Sequence, residues 1–233
     1  MVRKFLFLFF FFLGIIFISI IFLPSLFMPQ SIVLFGGKLM GHWSKICLKF
    51  FLSTNIIIKG KENIVTKEKF FIASSHQSMF ETFFLQTIFN SPIFILKKEL
   101  INIPVFGWYL KKIGSISISR NKTTKDNLGF FEQILSVINK SKRPLIIFPQ
   151  GTRLLPDDRS DFKKGVGKIY EKLNIKCQPV AINSGKIWPK IGYKKTNLIL
   201  TVSILDHIDP GMDKDLFVKD LQNKIYFELD KLG

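Results

Sequence analysis

The chain carries three histidines, His42, His76 and His207. His42 lies in the apolar N-terminal segment and His207 in the turn Leu205-Asp206-His207-Ile208-Asp209, so only His76 stands at a strand-like end. It lies in Ser74-Ser75-His76-Gln77-Ser78-Met79-Phe80-Glu81, directly after a short apolar run and just ahead of an acidic residue that opens a helix-like stretch. Imidazole titrates near neutral pH, which suits it to deprotonate an alcohol. A carboxylate on its other ring nitrogen fixes the tautomer and stabilises the imidazolium as it forms, a role open to Glu81 across a strand-to-helix turn. The same residues also read as a helix-capping serine beside a structural histidine.

Three further polar clusters follow apolar runs. Residues 145–148 lead into Pro149-Gln150-Gly151-Thr152-Arg153. Glycine there lets the backbone approach a ligand, and threonine and arginine are donors suited to a phosphate; an ordinary turn with a solvated arginine is the other reading. Gly114-Ser115-Ile116-Ser117-Ile118-Ser119-Arg120 is strand-like, and Arg120 by itself reads as surface. Upstream of it stand Lys97-Lys98-Glu99-Leu100 and Ile103-Pro104-Val105-Phe106-Gly107-Trp108. Residues 179–182 run into Asn183-Ser184-Gly185, which suggests the wall of a site rather than its chemistry. Lys164-Gly165-Val166-Gly167-Lys168 lacks the spacing of a phosphate-cradling P-loop. Asp157, Asp158 and Asp161 offer too few ligands for a cation, so no metal site is expected.

Elements that would hold these clusters are legible from about residue 53 onward. Runs rich in β-branched and aromatic residues at 55–59, 70–74, 93–96, 115–119, 145–148, 179–182 and 198–204 read as strands. Helix-like stretches at 80–89, 124–138, 163–173 and 216–232 alternate with them. This predicts an α/β fold with a mostly parallel central sheet covered by helices on both faces. Ligand sites in such sheets gather at the carboxyl ends of the strands, which is where the polar clusters fall.

Lysine and arginine outnumber aspartate and glutamate by 34 to 17, a net charge of +17 that implies a polyanionic partner. Nucleic acid is disfavoured, because the aromatic residues concentrate in apolar runs instead of interleaving with a basic stripe. An anionic membrane fits better. Residues 5–37 contain no charge, and 5–23 are almost purely apolar, long enough as a helix to reach about 28 Å. A cleaved signal peptide would have a shorter apolar core and a small-x-small site, which Leu23-Pro24-Ser25-Leu26-Phe27-Met28 does not supply. Residues 32–52 are apolar but interrupted by Gly36-Gly37, Lys38, Lys45 and Lys49, as suits a helix in the membrane interface. The expected division is a membrane-anchoring segment at 1–52, spanning or hairpin-like, and a catalytic domain at 53–233. Cys47 and Cys177 have no metal-ligand spacing and are expected to be buried, reduced thiols.

In their order, the four clusters resemble the 1-acyl-sn-glycerol-3-phosphate acyltransferase family, the PlsC-like enzymes, over about residues 55–205. His76 to Glu81 looks like that family's H-x-x-x-x-[DE] block, and Phe148 to Arg153 like its F-P-E-G-T-R block. The segments 114–120 and 179–185 resemble its second and fourth blocks. The resemblance implies that His76 deprotonates the sn-2 hydroxyl of lysophosphatidic acid with Glu81 as its orienting acid. It implies that the product is phosphatidic acid. It also implies phosphate binding by Arg120 and Arg153, within a substrate site that includes Gln150, Gly151 and Thr152, with Lys97 or Lys98 as helper. No bound cofactor is implied; acyl-CoA or acyl carrier protein would be the donor. The implied location is a membrane, the bacterial inner membrane with the active site facing the cytoplasm. Departures from the pattern are Glu81 for the commoner Asp, Gln150 where Glu is usual, and Ser117 and Ser119 where Phe and Asp are common. Another lysophospholipid or glycerol 3-phosphate as acceptor, or a non-catalytic homologue binding anionic lipids, are the alternatives.

Overall fold

The computed structural model describes residues 2–118, 129–192 and 194–232. Among them, seven strands form one sheet: β1 (Asn55–Lys59), β2 (Phe70–Ser74), β3 (Ile93–Lys97), β4 (Ile116–Ile118), β5 (Leu145–Ile147), β6 (Lys176–Ile182) and β7 (Ile199–Ile204). Their order is β1-β7-β6-β2-β5-β3-β4. All neighbours are parallel except β6 and β7. The carboxyl ends of β6, β2, β5 and β3 therefore lie side by side, and each leads into one of the polar segments.

Successive residues of a central strand feed opposite faces, which is why these strands are apolar throughout. In β2, Phe71 and Ala73 join one core while Ile72 joins the other; in β5, Leu145 and Ile147 divide from Ile146 in the same way. The first core is covered by α6 (Phe130–Lys140), α7 (Gly165–Leu173) and α8 (Lys214–Lys231). The second is covered by α1 (Val2–Ile21), α2 (Gln30–Leu52), α3 (Phe80–Ile88) and α5 (Phe106–Lys112), which follows the single turn α4 (Lys98–Ile101).

Several boundaries differ from expectation for identifiable reasons. β6 starts at Lys176, ahead of Pro179, because residues 176–180 pair with β2 while Pro179 turns its carbonyl the other way, to Leu205 N–H, so its missing N–H removes no bond to β2. The helix expected at 124–138 is described as α6 only from Phe130, and residues 124–128 lie outside the described residues. Pro104 just ahead of α5 and Gly107 within it obscure the helical pattern in the sequence. Residues 30–52 form one unbroken helix despite Gly36-Gly37, since those glycines sit where Phe22 and Gln86 press against α2.

The first helix is docked along much of its length. Arg3 donates to Ser53 Oγ (2.6 Å), and the Trp43 indole donates to the carbonyls of Phe10 and Phe11 (3.2 and 3.3 Å). Phe7 and Phe11 are fully buried, edge-on to Trp188 with centroids 5.0 and 4.8 Å apart. Near its end, Ser19 O accepts from the Tyr109 hydroxyl (2.6 Å). The opposite side of α1, including Phe5, Phe9, Phe17 and Ile20, is exposed.

Candidate active site

β2 ends at Ser74, and the chain turns through Ser75 to Met79 before α3 begins at Phe80. That turn carries His76. Glu81, in the first turn of α3, is wholly buried and points back beneath it. Its Oε1 accepts the N–H groups of Gln77 (3.1 Å) and Ser78 (3.0 Å), and its Oε2 accepts Ser78 N–H again (3.0 Å). The Ser184 hydroxyl, beyond β6, also donates to Oε1. These donors take up the carboxylate's positions facing the turn and fix its remaining edge toward the imidazole.

His76 Nδ1 lies 3.4 Å from Glu81 Oε2, within ion-pair range but outside hydrogen-bond geometry, so the buried Nδ1 has no bonded partner among the described residues. The ring stacks on Phe148 with centroids 4.1 Å apart and an interplanar angle of 18°. Both backbone groups of His76 are held by the segment after β5. Its N–H donates to Gln150 Oε1 (2.5 Å), and its carbonyl accepts from Leu154 N–H (2.9 Å). Gly151 has φ +73°, a left-handed conformation that glycine adopts without a Cβ penalty, and this bends 150–154 back over His76. A second strut joins the segment after β6, as Gln77 Oε1 accepts Gly185 N–H (3.2 Å).

A dyad of imidazole and buried carboxylate, at the mouth of a loop bearing Thr152 and Arg153, suits proton abstraction from a hydroxyl beside an anionic group. The comparisons bear directly on this. The family model described as Acyltransferase matches residues 55–183, which takes in β1 through β6 with His76, Glu81 and the loop 149–154, and ends just before Ser184.

The chain belongs to the acyltransferase family. A 1-acyl-sn-glycerol-3-phosphate acyltransferase of Helicobacter pylori is 33% identical over 193 residues, covering 79% of this chain and 78% of that protein. The enzyme of the same name from Pseudomonas aeruginosa is 34% identical over 138 residues, 59% of this chain and 53% of its own length. The crystal structure of the LPA acyltransferase PlsC from Thermotoga maritima superposes with a TM-score of 0.79 at 22% identity, covering 99% of this chain and 96% of that one. The fold of this acyltransferase is thus that expected from sequence.

The acyltransferase core brings together His76, Glu81, Gln150, Gly151, Thr152 and Arg153. Lys97 ends β3 and Lys98 begins α4, one strand further along the same edge, and both are exposed. Arg120 and Ser119 lie outside the described residues. Ser184 and Phe148 lie within segments marked out by sequence but without a role of their own, and Lys190, whose Nζ is 3.4 Å from Thr152 Oγ1, was not singled out. Ser184 had a signal, being a small polar residue directly after a buried strand. Neither thiol competes for the chemistry, since burial pushes Cys47 up to about 11 and Cys177 well above its ordinary value. A cavity of about 240 Å³ among Lys67, Lys69, Lys142 and Arg143 opens at the amino ends of β2 and β5, opposite the dyad.

Proposed function

We propose that this acyltransferase converts lysophosphatidate and an acyl thioester into phosphatidate, with His76 as general base. The observation that carries the reading is the fixed Glu81 carboxylate directed at His76 Nδ1. With the Nδ1 proton facing Glu81, Nε2 holds the lone pair that takes the proton of the sn-2 hydroxyl. The hydroxyl oxygen attacks the thioester carbonyl, forming the C–O bond. Collapse of the tetrahedral intermediate breaks the C–S bond, and the departing thiolate recovers the proton from the imidazolium. Arg153 makes no hydrogen bond or ion pair with the described residues, leaving its guanidinium for the acceptor phosphate; Lys97, Lys98, Lys190 and Arg120 are its proposed companions.

The segment 1–52 is read as the membrane anchor and 53–233 as the catalytic domain. Contacts from Arg3 to Ser19 hold α1 against the catalytic domain, which favours immersion in one leaflet over a perpendicular crossing. A crossing helix would have to strip Phe7 and Phe11 from their packing on Trp188. The active site then faces the cytoplasm of a bacterial inner membrane, where acyl-CoA and acyl carrier protein are both available.

The deciding experiment supplies purified protein in vesicles with lysophosphatidate and radiolabelled acyl-CoA or acyl carrier protein. Phosphatidate formation that disappears in His76→Ala, with vesicle association retained, is expected, and the faster donor identifies the carrier. Folded protein giving no product would move the reading to another acceptor or to a lipid-binding homologue.

A further inference from the structure

The segment between β3 and α5 is built in an unusual way. Val105 has φ 62° and ψ −58°, and Phe106 N–H donates to Pro104 O at 2.6 Å. This is a γ-turn of the positive-φ kind, rare and strained for any residue and worse for a β-branched one. The turn is nonetheless firmly held. Gly107 N–H donates to Ile103 O (2.7 Å), and any Cβ at Gly107 would run into the Ile101 carbonyl.

The effect of this geometry is to turn apolar side chains outward. Ile103, Phe106 and Trp108 are 44%, 45% and 52% exposed. They do not stand alone, because Tyr109 ties α5 to the end of α1, and Gln30 Nε2 donates to Lys112 O (3.0 Å). The neighbouring turn after α1 carries Phe27, which is 94% exposed. Cations frame the patch: residues 97–112 include Lys97, Lys98, Lys111 and Lys112 against a single carboxylate, Glu99. An apolar patch rimmed by lysines, with an exposed tryptophan, matches the boundary between acyl chains and anionic headgroups.

We propose that residues 103–108 are a lipid-contacting loop of the catalytic domain, which seats the mouth of the site on an anionic bilayer. The loop follows β3, whose carboxyl end lies beside that of β5, with β2 one strand further on. A lysolipid leaving the bilayer there would reach the dyad with its acyl chain still in lipid. Water could not repay the strained turn, whereas burial of three apolar side chains in lipid does. The proposal rests on the reading of α1 as immersed in one leaflet.

The test uses the full chain on vesicles of phosphatidylcholine and phosphatidylglycerol, some carrying brominated acyl chains. Of the three tryptophans, Trp188 is buried and Trp43 is bonded within the helical hairpin, so subtracting a Trp108→Phe variant isolates Trp108. Quenching of that component by brominated lipid is expected. The double variant Phe106→Ser/Trp108→Ser should lose at least about tenfold in kcat/KM toward long-chain lysophosphatidate in vesicles, while keeping its rate on a short-chain, water-soluble acceptor. Protein that floats with vesicles while Trp108 stays unquenched, or a serine variant unimpaired on vesicles, overturns this proposal alone. Protein that remains in the aqueous phase overturns the leaflet reading and this one with it.

Discussion

Glu81 has little freedom to do anything but face His76. Two backbone N–H groups and the Ser184 hydroxyl already bond to it, all as donors. A glutamine there must aim its NH₂ either at the donors that now bond to Glu81 or at the imidazole, which can accept it only through Nδ1, in the tautomer that leaves Nε2 protonated and unable to act as base. Glu81→Gln is therefore expected to cut kcat by about 10²-fold or more with a smaller effect on acceptor KM, measured by steady-state acyl transfer. Gln150 acts through the backbone instead: its amide oxygen positions His76 N–H. Gln150→Ala should lower kcat by about tenfold, whereas Gln150→Glu, which supplies the same acceptor, should keep most of the rate. Arg153→Ala should raise the acceptor KM and leave the donor KM unchanged; an unaltered acceptor dependence would remove its phosphate assignment. The pairing of His76 with Glu81 was legible because both lie on one turn. Ser184 is 103 residues from Glu81 in sequence, and only the neighbouring positions of β6 and β2 join them.

At the level of elements, the strands were the most readable feature, since burial on two faces demands continuous apolar runs. What could not be read was partnership. Nothing in residues 5–23 says that Phe7 and Phe11 belong to the core of the domain while Phe5 and Phe9 do not. Phe11→Ala should cost about 3–5 kcal/mol and loosen α1 from Trp188, seen as a lower denaturation midpoint in detergent. α8 offers a pH-dependent test. Its N-cap Asp213 accepts from Asp215 N–H (2.9 Å) and Leu216 N–H (3.1 Å), and these bonds hold its carboxyl below the usual carboxylate range. A folded-state pKa below the unfolded one gives stability that is present above the ordinary value and fades as pH falls. Asp213→Asn keeps a capping oxygen without the titration, so its Tm should fall less than wild type between pH 7 and pH 3.

For the molecule as a whole, charge and hydropathy point to a membrane as partner but do not orient the chain to it. If α1 lies in one leaflet, both ends of the chain's first helix and the catalytic domain share one side. Both native thiols are buried, so single introduced cysteines can report this with little background. Val2→Cys and Lys164→Cys are expected to react together with an impermeant maleimide in vesicles of one orientation; opposite labelling would restore a crossing helix.

The pairing of β1 with β7 has a consequence for how the protein is made. Asn55 lies opposite Ile199, so edge strand β1, which directly follows α2, waits for β7, the last strand among the described residues, to be synthesised. At roughly 5–20 residues per second, the ~140 residues between them take about 7–30 s to emerge from the ribosome. Over that interval β1 offers an open row of backbone groups. Closure of the sheet is thus tied to the synthesis of β7. A chain that stalls before residue 199 would leave β1 unpaired, an invitation to aggregate or to be degraded.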